Sequence, residues 1–277
     1  MGKLFGLLGH PVGHSMSPAM HNDAFASLEL SHFYHAFDVP EENLKTAVEG
    51  LKALGVSGFN VTIPHKVAIM ELLDEVDQEA KIIGAVNTVV NEDGRFVGYN
   101  TDGQGYLTSL LEVTGDSLRS KSVLVIGAGG AARAIATVIS NYGVKSLTIC
   151  NRTIDKAKWI ADNCFSNTKM DAMTLVESEK LINRYDVIIN TTSVGMSPNI
   201  DEVPISVESV KKGTVVSDLI YNPLKTKFLE QAESKGAIIV NGVGMFVGQG
   251  AHAFEKWTGL SPNKEQMKKI VEEQLGG

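Results

Sequence analysis

Short apolar segments alternate with amphipathic segments through the first part of the chain. The apolar segments are short and bounded by loop-forming residues, which is typical of strands; they are Lys3–Gly9, Phe33–Val39 and Phe59–Ile63. Apolar residues at helical spacing predict an amphipathic helix over Leu44–Leu54. Gly84–Asn91 and Arg95–Tyr99 predict a hairpin that turns at Glu92-Asp93-Gly94. This order of elements predicts an α/β fold whose first domain holds a mixed sheet.

The pattern changes at Ser122–Ile126, a predicted buried strand that is followed at once by Gly127-Ala128-Gly129-Gly130-Ala131-Ala132 and a helical pattern. A G-x-G-x-x-A turn between strand and helix is typical of dinucleotide binding, because its glycines let a pyrophosphate approach backbone N–H groups. Further strands are predicted at Ser146–Cys150, Asp186–Asn190, Thr214–Leu219 and Ala237–Val240. Together these elements predict a Rossmann-like domain with an open parallel sheet.

The two patterns divide the chain into a first domain, residues 1–105, and a second domain, residues 106–244. Residues 245–277 carry two more helical patterns, one from Met245 and one that Ser261-Pro262 would cap. Because the strands of the second domain are complete before these helices begin, we expect both helices to return to the first domain.

Lys66 is the most unusual residue of the first domain. It follows a predicted strand, and Pro64 predicts the first turn of a helix that runs to about Leu73. A cation near a helix N-terminus is unfavourable, and a locally unfavourable residue often marks a functional site. The alternative is a lysine that merely extends into water. Asp102 presents the same choice, since it opens another helix and could be only its N-cap.

Ser17-Pro18 predicts a helix start, with Ser17 as the N-cap and Pro18 as the first helical residue. A plain cap is one interpretation of Ser17. In the other, Ser15 and Ser17 present two hydroxyls beside free backbone N–H groups and form an anion site.

No acidic residue follows the second predicted strand of the Rossmann-like domain, where NAD-binding proteins usually carry Asp or Glu. The chain instead has Asn151-Arg152-Thr153 there, and Lys156 follows one helical turn later. Two cations would attract the 2′-phosphate of NADP, which an acidic residue would repel. The alternative is a helix start whose basic side chains only face solvent. Because the glycine-rich turn lies upstream, we expect NADP rather than NAD as the cofactor.

The chain has 277 residues and a formal net charge of −7, and no basic patch stands out. Nucleic acid and anionic membranes are therefore not expected as partners. The two cysteines, Cys150 and Cys164, have neither disulfide-framework nor metal-ligand spacing, and no HExxH motif occurs, so we expect no metal. The sequence has no signal-peptide pattern and no long apolar stretch, which predicts a cytoplasmic location.

Taken together, the motifs resemble those of the shikimate dehydrogenase family, in the family's order and along nearly the whole chain. The motifs are Ser15-x-Ser17-Pro18, Asn60-Val61-Thr62-Ile63-Pro64-His65-Lys66, Gly84-Ala85-Val86-Asn87-Thr88, Asn100-Thr101-Asp102-x-x-Gly105, Gly127-Ala128-Gly129-Gly130-Ala131, Asn151-Arg152-Thr153, Ile220-Tyr221-Asn222-Pro223 and Gln249-Gly250. The resemblance implies reversible NADPH-dependent reduction of 3-dehydroshikimate to shikimate, in the pathway to aromatic amino acids. It also implies that residues 1–105 bind the substrate and carry the catalysis, and that residues 106–244 bind NADP.

The same resemblance implies roles for individual residues. Lys66 and Asp102 would be the catalytic pair. The implied substrate contacts are Ser15, Ser17, Thr62, Asn87, Tyr221 and Gln249. The implied cofactor contacts are Gly127, Ala128, Gly129, Gly130, Ala131, Asn151, Arg152, Thr153, Lys156, Leu219 and Gly242.

Two other functions compete with this one. A shikimate/quinate dehydrogenase that uses NAD is one, and Asn151-Arg152, where an acidic residue would have indicated NAD, argues against it. A non-catalytic ligand sensor on the same fold is the other, and the presence of both Lys66 and Asp102 argues against it. The sequence leaves a monomer and a homodimer equally open.

Overall fold

The computed structural model describes residues 2–164 and 167–276. These residues form two compact units, one made of residues 2–102 and 247–276 and the other of residues 103–246. Each unit contains a six-stranded sheet with helices, so the predicted α/β fold class is confirmed. The functional domains expected at 1–105 and 106–244 stay predictions, since compactness alone assigns no role to a unit.

The first unit is built on a mixed sheet. Its strands are β1 (Leu4–Gly9), β2 (Phe33–Asp38), β3 (Gly58–Val61), β4 (Glu75–Val76), β5 (Thr88–Glu92) and β6 (Arg95–Tyr99), and its first helices are α1 (Ser17–Ser27), α2 (Leu44–Ala53) and α3 (Gln78–Ile83). The strand order is β2-β1-β3-β5-β6-β4. β1 runs parallel to β2 and β3, whereas β5 runs antiparallel to both β3 and β6. Phe59 and Phe96 meet edge to face in the core of this unit, with ring centroids 5.3 Å apart.

The second unit is built on a parallel sheet. Its elements are α4 (Asp102–Thr114), β7 (Ser122–Ile126), α5 (Gly130–Tyr142), β8 (Ser146–Cys150), α6 (Ile154–Asn163), β9 (Lys169–Met173), α7 (Leu175–Lys180), β10 (Val187–Asn190), β11 (Val215–Asp218), α8 (Lys227–Ser234) and β12 (Ile238–Val240). The strand order is β12-β11-β10-β7-β8-β9, and every neighbouring pair is parallel.

The central strand β7 shows why this sheet is apolar on both faces. Val123 and Val125 belong to the core on one face, and Leu124 and Ile126 belong to the core on the other. Side chains alternate across a strand, so a strand covered on both sides reads as a continuous apolar run. The Rossmann-like prediction rests on this run and is confirmed.

Two C-terminal helices, α9 (Val243–Thr258) and α10 (Lys264–Gln274), complete the chain. α10 packs against α1, and the Trp257 indole N–H donates to the carbonyl oxygen of Val89 at 2.9 Å. The predicted return of these helices to the first unit is therefore confirmed. Ser261-Pro262 is not the cap of α10, because the Asn263 side chain accepts from the Gln266 N–H at 3.1 Å.

The segment after β3 is not the α-helix predicted from Pro64 to about Leu73. It forms turns and then a 3₁₀ helix, Ala68–Leu72. The carbonyl of Lys66 accepts from the N–H of Val86 at 2.8 Å. The α-helical donor to this carbonyl would be the Met70 N–H, which instead donates to the Val67 carbonyl at 3.2 Å. The helix-dipole reason for singling out Lys66 was therefore wrong.

The hairpin is shorter than predicted. Its first strand begins at Thr88 rather than Gly84, because α3 runs to Ile83 and Gly84 is its C-cap, in a left-handed conformation with φ of 70°. The sequence patterns did not predict α3, α7, α8 or the edge strands β4 and β9. Strand β9 has exposed or half-buried residues throughout, so it lacks the apolar run that identified its neighbours.

Candidate active site

Lys66 and Asp102 form an ion pair within the first unit. The Lys66 Nζ lies 2.6 Å from Asp102 Oδ2, and the two side chains are 31% and 12% exposed. The other carboxylate oxygen, Oδ1, accepts from the Asn87 amide at 2.8 Å. Asp102 is itself the first residue of α4. Both of its oxygens are held by side chains, so a plain N-cap does not describe Asp102.

The orientation of the Asn87 amide is fixed by its neighbours. Asn87 Oδ1 accepts from the backbone N–H of Thr101 at 2.8 Å and from the Thr88 hydroxyl at 3.1 Å. The amide nitrogen therefore faces Asp102, where it donates to a negative charge. Such charge-assisted hydrogen bonds are the stronger ones in proteins. The Lys66 ammonium remains partly accessible while its counter-ion is held rigidly, an arrangement suited to proton transfer.

Ser17 is not the N-cap of α1 but the first residue inside the helix. The N-cap is Met16, which makes no side-chain capping bond. The backbone N–H of Ser17 instead donates to the Ser15 Oγ at 3.3 Å, and the Ser17 side chain is buried. The capping interpretation of Ser17 was wrong, and the anion site stays a prediction.

Thr62 and Gln249 are the other predicted substrate contacts of the first unit. Thr62 directly follows β3 and is half-buried. Its methyl group lies 2.3 Å from where a Cβ on Gly9 would stand, so only glycine allows this approach. Gln249 lies on α9 and is also half-buried. Substrate contact by either residue stays a prediction.

Tyr221 belongs to the second unit. Burial raises the pKa of its phenol above the ordinary value. Its ring centroid lies 5.2 Å from that of Phe246. A phenol with a raised pKa holds its proton more tightly, which makes Tyr221 a weaker proton donor than an unperturbed tyrosine.

The glycine-rich turn lies between β7 and α5. Gly127 has φ of +109°, which favours glycine, and its N–H donates to the Cys150 carbonyl at 2.8 Å. A Cβ on Gly129 or Gly130 would have no atom within 4 Å, so open space lies before the first turn of α5. Ala128 and Ala131, which complete the turn, are half-buried. Free N–H groups at this helix start fit an anionic pyrophosphate.

Basic side chains follow β8. Arg152, Thr153 and Lys156 are exposed, and the Asn151 amide donates to the Thr153 carbonyl at 2.9 Å. Within residues 2–164 and 167–276, neither Arg152 nor Lys156 pairs with a carboxylate. Two cations without a counter-ion beside the glycine-rich turn fit a 2′-phosphate.

Leu219 and Gly242 meet at the ends of β11 and β12. A Cβ on Gly242 would lie 2.0 Å from the Leu219 carbonyl oxygen, so no other residue fits there without a shift. The Gly242 N–H donates to the Ile220 carbonyl at 3.0 Å. The two backbones approach so closely that a side chain at position 242 would clash, which explains why this residue is glycine.

Sequence analysis missed the role of Asp218, the last residue of β11. This carboxylate is fully buried, and burial raises its pKa. It accepts from the Asn190 amide at 3.0 Å, the Ile220 N–H at 3.1 Å and the Thr226 hydroxyl at 2.7 Å. Asp218 thereby holds the loop that carries Tyr221. The available signal was an acidic residue at the carboxyl end of a predicted strand.

No three His, Cys, Asp or Glu side chains among the described residues come together in a way that could hold a metal ion. The helices within the described ranges include none that is both long and apolar enough to span a membrane.

The parallel sheet and its glycine-rich turn define an α/β protein of the Rossmann-like, dinucleotide-binding class. Three family models match the chain: the shikimate dehydrogenase substrate binding domain at residues 7–89, shikimate/quinate 5-dehydrogenase at residues 109–216, and the shikimate 5′-dehydrogenase C-terminal domain at residues 242–272. The chain belongs to the shikimate dehydrogenase family, and the resemblance seen in its motifs is confirmed.

Named relatives agree with this family. A protein of Geobacillus sp. named shikimate dehydrogenase (NADP(+)) is 55% identical over the full length of both chains. A crystal structure of a shikimate dehydrogenase in complex with NADP+ is 45% identical, with a TM-score of 0.92 over 99% of this chain and 96% of the other. The shikimate 5-dehydrogenase of Listeria monocytogenes, in complex with shikimate and NAD, is 38% identical, with a TM-score of 0.91 over 98% and 96%.

Proposed function

We propose that this chain catalyses the reversible NADPH-dependent reduction of 3-dehydroshikimate to shikimate, with Lys66 as the proton-transferring residue. The observation that carries the proposal is the 2.6 Å pair of Lys66 and Asp102, braced by Asn87. A lysine that only extended into water would not be held at hydrogen-bond distance by a carboxylate that is itself fixed on its other oxygen.

In the direction of reduction, Lys66 donates a proton to the carbonyl oxygen of the substrate, and in oxidation it takes the proton from the hydroxyl. Asp102 holds the Lys66 ammonium in place and accepts a hydrogen bond from a substrate hydroxyl. The bound nicotinamide supplies or accepts the hydride. The chain's own contribution is therefore orientation and the transfer of one proton.

The remaining site residues bind and orient. We assign Ser15, Ser17, Thr62, Asn87, Tyr221 and Gln249 to the substrate, whose carboxylate and hydroxyls need many polar partners. The glycine-rich turn Gly127–Ala131 takes the pyrophosphate, and Asn151, Arg152, Thr153 and Lys156 take the adenosine 2′-phosphate end. Leu219 and Gly242 border the nicotinamide. In domain terms, residues 1–105 bind the substrate and residues 106–244 bind NADP.

NAD-dependent oxidation of quinate is the second candidate function, and one family model names both substrates. Arg152 and Lys156 favour NADP over NAD, because neither pairs with a carboxylate among the described residues and both can attract a 2′-phosphate.

Four parallel assays test the proposal. The purified chain is given shikimate or quinate, each with NADP+ or NAD+, and formation of the reduced cofactor is followed by its near-ultraviolet absorbance. We expect the highest kcat/KM with shikimate and NADP+. A higher kcat/KM with quinate, or with NAD+, would reject the proposed substrate or cofactor respectively.

We also propose that the protein works in the cytoplasm as a monomer or homodimer. The two cysteines support this location, since Cys150 is buried and Cys164 half-buried, and both are free thiols as in a reducing compartment. Sedimentation of the purified chain distinguishes monomer from dimer.

A further inference from the structure

A chain of buried hydrogen bonds connects Tyr34 with the Lys66–Asp102 pair. The Tyr34 hydroxyl donates to Asn60 Oδ1 at 2.8 Å, and the Asn60 amide donates to the Thr88 hydroxyl oxygen at 3.1 Å. The Thr88 hydroxyl donates to Asn87 Oδ1 at 3.1 Å, and the Asn87 amide donates to Asp102 at 2.8 Å. Tyr34, Asn60, Thr88 and Asn87 are at most 4% exposed.

We infer that Tyr34 is a positioning residue for proton transfer, which acts on the Lys66–Asp102 pair through Asn60, Thr88 and Asn87. The inference rests on the proposed function. Tyr34 lies on β2 and had no role in any motif of the sequence.

The effect of Tyr34 on Asp102 depends on which group donates in each hydrogen bond. Because Tyr34 donates to the oxygen of Asn60, the amide nitrogen of Asn60 must face the other way, toward Thr88. Thr88 accepts there, so its single hydroxyl proton is available to the oxygen of Asn87, and the Thr101 hydroxyl lies 3.1 Å from the same group. This bond and the Thr101 N–H, which donates to the same oxygen at 2.8 Å, together direct the nitrogen of Asn87 at Asp102. A reversed Asn87 amide would set its carbonyl oxygen against the carboxylate.

Neighbouring side chains hold both the backbone and the ring of Tyr34 in place, so its hydroxyl is fixed at the start of the hydrogen-bond chain. The Asn22 side chain bonds both the N–H and the carbonyl of Tyr34, at 2.8 and 2.9 Å. The His21 ring stacks on the phenol ring, with centroids 4.5 Å apart.

The Tyr34→Phe variant tests the inference, since it removes one hydroxyl and leaves the ring. We expect kcat for shikimate oxidation to fall roughly 3- to 30-fold, the usual effect of a residue coupled through a network. The KM for NADP+ should stay unchanged. The matched control is Tyr185→Phe, a buried tyrosine of the second unit whose hydroxyl donates to the Met173 sulfur at 3.6 Å; its kcat should equal that of the parent chain.

A double-mutant comparison separates positioning from a merely structural effect. If Tyr34 acts through Asn87, then Tyr34→Phe added to Asn87→Ser should lower kcat by less than about twofold further. A second full-sized loss in that background would overturn the inference, and so would a folded Tyr34→Phe variant with unchanged kcat. Melting curves of each variant show whether it is folded at the assay temperature.

A spectroscopic measurement keeps the inference testable without turnover. The side-chain amide NMR signals of Asn87 are identified by their loss in Asn87→Ser. They should shift in Tyr34→Phe and stay in place in Tyr185→Phe. Unshifted Asn87 signals in Tyr34→Phe would refute the inference that Tyr34 positions Asn87. Absence of shikimate turnover in the parent chain would refute the proposed function instead, so the two failures are distinguishable.

Discussion

Replacing Lys66 by alanine gives the most informative single perturbation of the site. Loss of a general acid–base residue typically lowers the rate by about 10²–10⁴-fold. This corresponds to about 3–5 kcal/mol of activation free energy, at roughly 1.4 kcal/mol for each factor of ten. The cost in folding free energy should be much smaller. The Lys66 side chain is 31% exposed, so solvent screening limits the contribution of its ion pair to about 1 kcal/mol or less.

The first unit contains a matched control for this change. Lys52 Nζ lies 2.6 Å from Asp74 Oδ2, the same distance as in the Lys66–Asp102 pair, with side chains 42% and 31% exposed. Lys52→Ala should change stability by a similar amount and leave kcat unaltered. Lys66→Arg should not restore activity, because a guanidinium does not release its proton near neutral pH.

Steady-state kinetics of shikimate oxidation with NADP+, together with thermal melting, distinguish the interpretations of Lys66. The predicted result is a large loss of kcat with little change in the KM for shikimate. A near-normal kcat with a steeply raised KM would mean that Lys66 only binds substrate. The proton would then come from water or another side chain.

Four further predictions follow from the same structure. Arg152→Ala should raise the KM for NADP+ by about 10- to 100-fold and barely change that for NAD+, since a charged hydrogen bond contributes about 1.5–3 kcal/mol; equal losses with both cofactors would exclude a 2′-phosphate contact. Ser15→Ala combined with Ser17→Ala should raise the KM for shikimate without affecting NADP+ binding, and an unchanged KM would exclude the anion site. Asp102→Asn should both lower kcat and weaken shikimate binding. The losses of activation free energy in Asp102→Asn and Lys66→Ala should add up to far more than the loss in the double variant, because the two residues act as a unit. Fully additive losses would show that the two residues act independently. Burial lowers the pKa of His21 from 6.5 to about 3, so the unfolded chain binds the proton first and the free energy of unfolding falls as pH decreases from 6.5 toward 3, by up to about 1.4 kcal/mol for each pH unit. Denaturant titrations across this range should show that the stability of His21→Phe depends less on pH than that of the parent chain. An identical pH dependence in the two chains would contradict the lowered pKa of His21.

Local patterns in the sequence were enough to predict the central strands of the second unit and its glycine-rich turn. The strand β7, the turn at Gly127 and the helix α5 were predicted almost to the residue, because the signal is contained in consecutive positions. Strand β9 was missed for the same reason, since its residues show no apolar run. The strands of this parallel sheet that are buried on both faces were therefore predicted, because each has a continuous apolar run.

The candidate site in the first unit depends on tertiary contacts that no local pattern contains. Lys66 was singled out for a helix position that it does not occupy, and the hydrogen bond from Val86 explains the difference. The network behind Asp102 requires Asn60 and Thr88 to face each other across β3 and β5. That register is set by the folded sheet. The family resemblance pointed to Asn87 and Asp102, but it did not point to Tyr34.

The central claim is that this chain oxidises shikimate with NADP+ and that Lys66 transfers the proton. The most direct test compares kcat of the parent chain and of Lys66→Ala under saturating shikimate and NADP+, with Lys52→Ala as the control. We predict turnover by the parent chain and the control at equal rates, and a kcat at least about 100-fold lower for Lys66→Ala. Equal turnover by Lys66→Ala and the parent chain, or no turnover of shikimate by the parent chain, would contradict the claim.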